Sequence, residues 1–426
     1  MSVLLGCVAD DFTGASDLAS FLVESGMSTV QIIDVPASDQ LLMDDVDAVV
    51  VALKSRTQPV SEAIKDSIAA LEWLKAKGCQ QFYFKYCSTF DSTTKGNIGP
   101  VVDAMLDNLG ERYTIACPSL PVNGRTVFNG HLFVNGELLN ESGMEFHPLT
   151  PMTDSNIVRV MAQQSQGKVS LIDHAVVEAG PEAIKEAMKT FSENSRYSVV
   201  DAVSNENLMA IAHASEDLKL ITGGSGLSIG LADNYVKKGL FEKRYDSKAL
   251  RPVEGGTVIL SGSCSAMTRA QVAHYKEKNP SLKINPMELE HQSQTIEEAV
   301  NWYQSASLQG RIPVLIYATD EPENINKYKH VLGEQKASQL VEDFMYELAN
   351  ALSRRGVCRF IVAGGETSGS VVKALKVTSL KIGESIAPGV PVVQSTEAPY
   401  FLLALKSGNF GQVDFFDRAF QILDEI

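Results

Sequence analysis

The chain alternates short apolar runs with stretches of helical periodicity almost from end to end, and this rhythm constrains the fold more than any other feature. The runs "VLLGCVA" (3–9), "TVQIIDV" (29–35), "AVVVAL" (48–53), "FYFKY" (82–86) and "YTIAC" (113–117) are short and rich in β-branched and aromatic residues, as buried strands are. Between them lie segments such as "SEAIKDSIAALEWLKAKG", where Ile64, Ile68, Leu71 and Leu74 share one helical face behind Pro59. Strand and helix repeated this way predict an α/β protein with mostly parallel, helix-covered sheets.

Two stretches break the rhythm. "RTVFNGHLFVNGELL" (125–139) carries two Asn-Gly pairs among β-favouring residues, which predicts a small antiparallel meander with tight turns. Residues 238–256, "KGLFEKRYDSKALRPVEGG", combine clustered charge, a Pro and a Gly pair without sustained periodicity, and read as a linker. A second α/β series follows, from "TVILSGSCSAMTRAQVAHY" through a long helix near 338–355 to "YFLLALK". A chain of 426 residues is long for one core, so two α/β domains are expected, 1–245 and 246–426.

Composition excludes several classes. With 44% hydrophobic and 21% charged residues the chain is an ordered globular one. No apolar stretch approaches the roughly 18 to 20 residues that cross a bilayer, and the first residues lack the cationic start of a signal peptide, so a cytoplasmic location and no membrane partner are expected. The six cysteines have no paired close spacing, which argues against a zinc site or a disulfide framework. A net charge of -15 argues against nucleic acid as a partner. An anionic ligand would need local cations that override this global field.

Such cations occur at strand ends, where ligands of open α/β sheets settle. In "VADDFTGASDLASFL", Asp10 and Asp11 follow the first apolar run and precede a helix that Thr13 or Ser16 is expected to cap, with Leu18, Phe21 and Leu22 buried. A helix cap explains one acid. Two side by side repel unless a cation or proton donor lies near, which points to carboxylates that bind hydroxyls or take a proton from one. "LKSRT" brings Lys54 and Arg56 to a neighbouring strand end, and "FKYCSTFDST" brings Lys85 and Asp91. Acids, cations and hydroxyls together suit a small polyhydroxylated anion. Arg125 in the meander and His147, ahead of a helix expected to be capped by Thr153 or Asp154, are further substrate-binding candidates.

Three junctions are rich in Gly and Ser: "TGGSGLSIG" (222–230), "LSGSCSAMT" (260–268) and "VAGGETSGS" (362–370). Turns of this kind let backbone amides approach an anion, although small residues also serve tight packing. Two of them in the second series favour phosphate binding, with "SGNFG" (407–411) beside them and Glu366 suited to approach Mg²⁺ through water. No G-x-x-x-x-G-K-[ST] string is present, so a Walker fold is excluded, and the G-x-G-x-x-x-G string at 224–230 is a weak dinucleotide signal.

In this order, "ADDFTGASDLA", "KSRT", "KYCSTFDSTTKGNIG", "CPSLPVNGRTVFNGHLFVNG", "HPLTPMTDSN", "GGSGL", "SGSCSAMT" and "AGGETSG" resemble the four-carbon acid sugar kinases over nearly the whole chain. The resemblance implies an N-terminal domain binding a sugar acid and a C-terminal domain binding ATP, with phosphorylation of the terminal 4-hydroxyl. By motif, Ser263, Gly364, Gly365, Glu366, Thr367 and Gly408 would contact ATP. Asp10, Asp11, Arg56 and Lys85 would lie on the sugar-acid side, with Asp10 or Asp11 as the base. ATP and Mg²⁺ are the expected cofactors, closure around the linker the expected motion, and a homodimer the expected assembly. A 3-oxo acceptor and the 3-hydroxy acids threonate and erythronate differ by contacts that one or two side chains supply. A sugar-acid sensor without turnover is the reading from another class.

Overall fold

The computed structural model describes residues 3–426 except 39, 41, 43–44, 148–149, 245–247 and 308–312. It divides into two compact units, Met1–Lys248 and Ala249–Ile426. The boundary expected at 245/246 lies outside the described residues.

In the first unit the strands are β1 (Leu5–Ala9), β2 (Thr29–Ile33), β3 (Ala48–Ala52), β4 (Gln81–Lys85), β5 (Thr114–Cys117), β6 (Arg125–Phe128), β7 (His131–Val134), β8 (Glu137–Leu138), β9 (Val169–Ile172), β10 (Tyr197–Val200) and β11 (Leu220–Gly223). Eight of them form a sheet in the order β2-β3-β1-β4-β11-β5-β10-β9, parallel throughout. β1, β3 and β4 are buried at every position, as strands covered on both faces must be. Their side chains enter one apolar core with Leu71, Leu74 and Trp73 of the helix Val60–Ala76. Ile64 and Ile68 pack at the margin of this core rather than inside it.

The meander is the separate sheet β6-β7-β8, antiparallel as the Asn-Gly pairs require. Asn129 and Gly130 (φ 49° and 72°) and Asn135 and Gly136 (φ 53° and 88°) all take the left-handed conformation, the backbone of type I′ hairpin turns.

The second unit contains β12 (Gly256–Ser261), β13 (Ser281–Lys283), β14 (Val314–Tyr317), β15 (Val357–Ala363), β16 (Ser379–Ala387), β17 (Val390–Ser395) and β18 (Leu402–Lys406), in the order β13-β14-β12-β15-β18-β17-β16. Only β17 runs antiparallel to its neighbours. The core joins Ile259, Leu315, Ile361 and Ala404 to Phe415 and Phe416 of the C-terminal helix Phe415–Glu425. The long helix near 338–355 is Glu334–Ser353. Among the described residues no helix is long and apolar enough to cross a membrane, and all six cysteines are free thiols.

Each unit has a place where two neighbouring parallel strands lead their connections away from each other, the kind of switch point at which the loops of open sheets part and ligands settle. In the first unit it lies between β1, which leads outward to β2, and β4, which leads the other way to β5. In the second it lies between β12, which leads to β13, and β15, which leads to β16. Asp10 and Asp11 follow β1, and Lys85 ends β4. "SGSCS" follows β12, and "GGET" follows β15.

Candidate active site

Arg56 answers the question raised by the adjacent acids. Its guanidinium donates to Asp10 through Nε at 2.9 Å and Nη2 at 2.8 Å, and Nη2 also donates to Asp11 Oδ1. Asp91 Oδ2 stands 3.9 Å from Nη1 on a third side. The loop after β3 is fixed for this contact, since Ser55 and Arg56 donate their backbone N–H groups to Asp10 O and Asn97 Nδ2 donates to the carbonyls of Ser55, Arg56 and Gln58. One planar cation therefore spaces two carboxylates that would otherwise repel.

The two acids differ. Asp10 is buried, both of its oxygens are taken by Arg56, and burial raises its pKa against the pull of Arg56. Asp11 keeps a quarter of its side chain exposed. Burial works to raise it too, but the charges of Arg56 and Lys85, with hydrogen bonds from Thr13 Oγ1 and Gly14 N, hold it well below the usual carboxylate range.

Asp11 is also the N-cap of the helix Phe12–Glu24, a position expected for Thr13 or Ser16. Thr13 instead bonds Asp11 Oδ2 at 2.8 Å, and Ser16 turns inward to Gln31 at 2.8 Å. A carboxylate one residue ahead of the helix outcompetes a hydroxyl inside it for the free N–H groups of the first turn. Leu18 and Leu22 are buried as expected, whereas Phe21 is half-buried.

Lys85, buried at the end of β4, reaches Asp11 Oδ1 at 3.7 Å. A Cβ on Gly14 would collide with its Nζ, so glycine at that position admits the ammonium to the helix start. Among the described residues this ammonium makes no side-chain hydrogen bond, which leaves its three donors for another group. Asp17, one turn into the helix, was not anticipated from sequence. It is buried, accepts from Ser225 Oγ, and its other oxygen has no hydrogen-bond partner among the described residues. Burial raises its pKa against the pull of Lys85.

The remaining candidates of this unit are elsewhere. Lys54 is exposed. Arg125 Nη1 donates to Asn123 O, and its buried Nε has no partner among the described residues. His147 Nδ1 accepts from Thr150 N at 3.1 Å and bonds Thr150 Oγ1 at 2.9 Å. Neither has a direct hydrogen bond or ion pair to the Arg56 cluster among the described residues. The helix after His147 is Ile157–Gln164, capped by Asn156 and not by Thr153 or Asp154. Asp154 pairs with Arg159.

The glycine junction at 222–230 is a packing joint. A Cβ on Gly224 would lie 2.6 Å from Pro118 O and one on Gly226 2.7 Å from Ser119 O, so these glycines exist to let two loops touch.

The two other junctions form a pocket of about 310 Å³ in the second unit. Gly262, Ser263 and Cys264 line it from one turn, and Gly364, Gly365, Glu366 and Thr367 from the other. The turns are laced together: Gly262 and Ser263 donate to Ala363 O, and Gly364 N donates to Lys406 O at 2.9 Å. Gly364 has φ 128°, open to glycine but strained for other residues. Gly365 to Thr367 open the helix Gly365–Ala374, whose first N–H groups have no partner within the helix. Gly408 packs beside them, its carbonyl accepting from Ser265 Oγ at 2.6 Å and Thr268 Oγ1 at 2.7 Å.

Sequence reasoning missed the far wall of this pocket, where Pro286, Ala318, Ile325, Ala337 and Val341 give an apolar surface beside Tyr328. Asp320 anchors that wall by accepting from Lys283, Asn324 and Tyr328. Burial would raise Asp320, but these donors bring it down to about 2.

Residues 5–231 match a family model described as a sugar-binding N-terminal domain, and residues 258–416 one described as a nucleotide-binding C-terminal domain. A 3-oxo-tetronate kinase of Burkholderia multivorans is 48% identical over 422 residues, covering 99% of this chain and 97% of the relative. Another, from Cupriavidus necator, is 50% identical over 423 residues, again 99% and 97% of the two chains. The chain belongs to the 3-oxo-tetronate kinase family. A Haemophilus influenzae crystal structure with 48% identity matches at a TM-score of 0.83 over 98% of this chain and 100% of its own. For a member of this family, the charged cluster around Arg56 falls in the half matched as sugar-binding and the glycine-lined pocket in the half matched as nucleotide-binding.

Proposed function

We propose that this chain transfers the γ-phosphoryl group of ATP to the 4-hydroxyl of 3-oxo-tetronate, giving 3-oxo-tetronate 4-phosphate. It is an ATP-dependent phosphotransferase acting on a four-carbon sugar acid. The observation that carries the reading is the pairing of a charged side-chain cluster in one unit with a glycine-turn pocket in the other, each at its own switch point.

Phosphoryl transfer asks little covalent work of a protein, which must align the hydroxyl and balance charge. Asp11 is the reachable acid of the pair, so it orients the 4-hydroxyl and accepts its proton. Asp10 holds Arg56 in place. Arg56 already serves Asp10 and Asp11 and stands near Asp91, so Lys85, with unused donors, is the better ligand for the acceptor's carboxylate. Arg125 and His147 are kept as substrate contacts only through their motifs.

In the second unit the amides of Gly365, Glu366 and Thr367, with Gly364, Ser263 and Gly408 around them, hold the phosphates, and the apolar wall takes the adenine. Among the described residues no cluster of three His, Cys, Asp or Glu side chains forms a metal cage. Phosphate-bound Mg²⁺ needs only one or two carboxylates, and Glu366 in the pocket lining fits that need. The ion, when bound, neutralises phosphate charge.

A coupled ADP-release assay across 3-oxo-tetronates, threonates and erythronates tests the reading. Turnover with a 3-oxo-tetronate well above the others supports it, turnover only with threonate or erythronate reassigns the acceptor, and no acid-dependent ADP release removes the kinase. A two-fold homodimer is proposed as the commonest assembly, and light scattering on the eluting protein tests it.

A further inference from the structure

Lys406 ends β18 with its side chain fully buried. Its ammonium donates to Ser407 O at 3.0 Å, Gly408 O at 2.9 Å and Thr268 Oγ1 at 3.0 Å, so each of its three protons has an acceptor. Its own carbonyl accepts from Gly364 N at 2.9 Å. A single residue thus ties together the three small-residue turns at residues 262–268, 364–367 and 407–411.

Among the described residues no carboxylate forms an ion pair with this ammonium, and the ring of Phe415, 5.8 Å away, is a weak substitute. Burial alone accounts for the fall of its pKa to about 7. A buried cation without a counter-ion is costly, and a fold that needed only to fill this space would do better with an apolar side chain. The other buried strand-end lysine, Lys85, stands among acids. The difference lies in what each site has to attract.

We propose that the missing counter-ion of Lys406 is the phosphate group of the bound nucleotide, and that Lys406 is a positioning residue that holds the Gly408 turn and places fixed positive charge behind the phosphate-binding amides. This rests on the nucleotide reading above. Lys406 holds the carbonyl of Gly408, and Gly408 in turn packs against Ser263 of the pocket lining, whose Oγ would stand 2.5 Å from a Cβ on that glycine. In a poorly polarisable interior, charge acts across such a gap with little screening. Adenosine, which has no phosphate, draws nothing from it.

The test uses the full-length wild type and Lys406→Met. ADP and adenosine affinities are measured by calorimetry, and melting temperature without ligand by differential scanning. K406M is expected to bind ADP about tenfold or more weakly, to bind adenosine within about twofold of wild type, and to melt at the same temperature or higher. Equal ADP affinity in the two proteins overturns the proposal. So does a parallel loss of ADP affinity, adenosine affinity and melting temperature, or a K406M chain that does not fold, because the ammonium would then serve the fold. A wild type that binds no ADP or ATP removes the nucleotide reading itself and this inference with it.

Discussion

The charged cluster of the first unit and the pocket of the second are built on the same topological device and furnished in opposite ways. Around β1 and β4 the strand ends carry Asp10, Asp11 and Lys85, with Arg56 from the loop after β3, and recognition falls to charged side chains. Around β12 and β15 they carry Gly262, Ser263, Gly364 and Gly365, and recognition falls to the peptide amides that open the helix Gly365–Ala374. A small acid with several hydroxyls needs a pattern of donors and acceptors that only side chains can vary. A polyphosphate needs many donors close together, which backbone provides once side chains are out of the way.

If this contrast is right, Asp11→Asn breaks it most severely. Turnover at saturating sugar acid should fall about a hundredfold or more while ADP affinity stays unchanged, as steady-state kinetics with calorimetry would reveal. Next comes Arg56→Gln, which leaves Asp10 and Asp11 unspaced. The kcat/KM for the sugar acid is expected to fall about ten- to a hundredfold, again with normal ADP binding. Gly364→Ala reverses the pattern. Its φ of 128° and the approach of Ser263 N to 3.1 Å of the new Cβ should weaken ADP about tenfold and leave the affinity for the sugar acid intact.

A smaller effect is set by pH. Lys406 falls from 10.5 to about 7 on burial. Below about 7 the folded and unfolded chains are both protonated there, and the penalty is complete. Between 7 and 10.5 the unfolded chain holds more protons at this position, so the stability of the folded state rises with pH. The melting-temperature advantage of ligand-free K406M over wild type should therefore shrink between about pH 6 and about pH 9. Gly136→Ala, in a meander turn at φ 88° with open space around it, is the control, costing about 1 kcal/mol of stability and no activity.

Much of this was legible in the sequence. Apolar runs of strand length with helical stretches between them specified both sheets, and the Asn-Gly pairs specified the meander, because each signal acts over a few residues. The charged cluster was legible because Asp10, Asp11, Arg56 and Lys85 all sit at or just beyond strand ends, which parallel topology brings to one edge. What sequence left hidden depends on distant contacts. Whether a glycine turn faces a ligand or a neighbouring loop is decided by packing, and so the junction at 222–230 looked like the other two until Pro118 and Ser119 were found against it. The apolar wall of Ile325 and Val341 is assembled from two helices whose apolar residues carry no chemical mark. Asp17 and Lys406 did leave a trace, an acid inside an apolar helical stripe and a lysine closing the run "FLLAL". A charge in an apolar pattern marks burial, and its partner is known only once the fold is built.

Amide hydrogen exchange on the full-length protein, with ADP alone and with the sugar acid alone, tests the division of labour most directly. ADP should slow exchange at residues 262–268, 364–368 and 407–411 and leave 10–16 unaffected, while the sugar acid should do the reverse. Protection by ADP at 10–16, with the glycine turns of the second unit exchanging as freely as before, would contradict it.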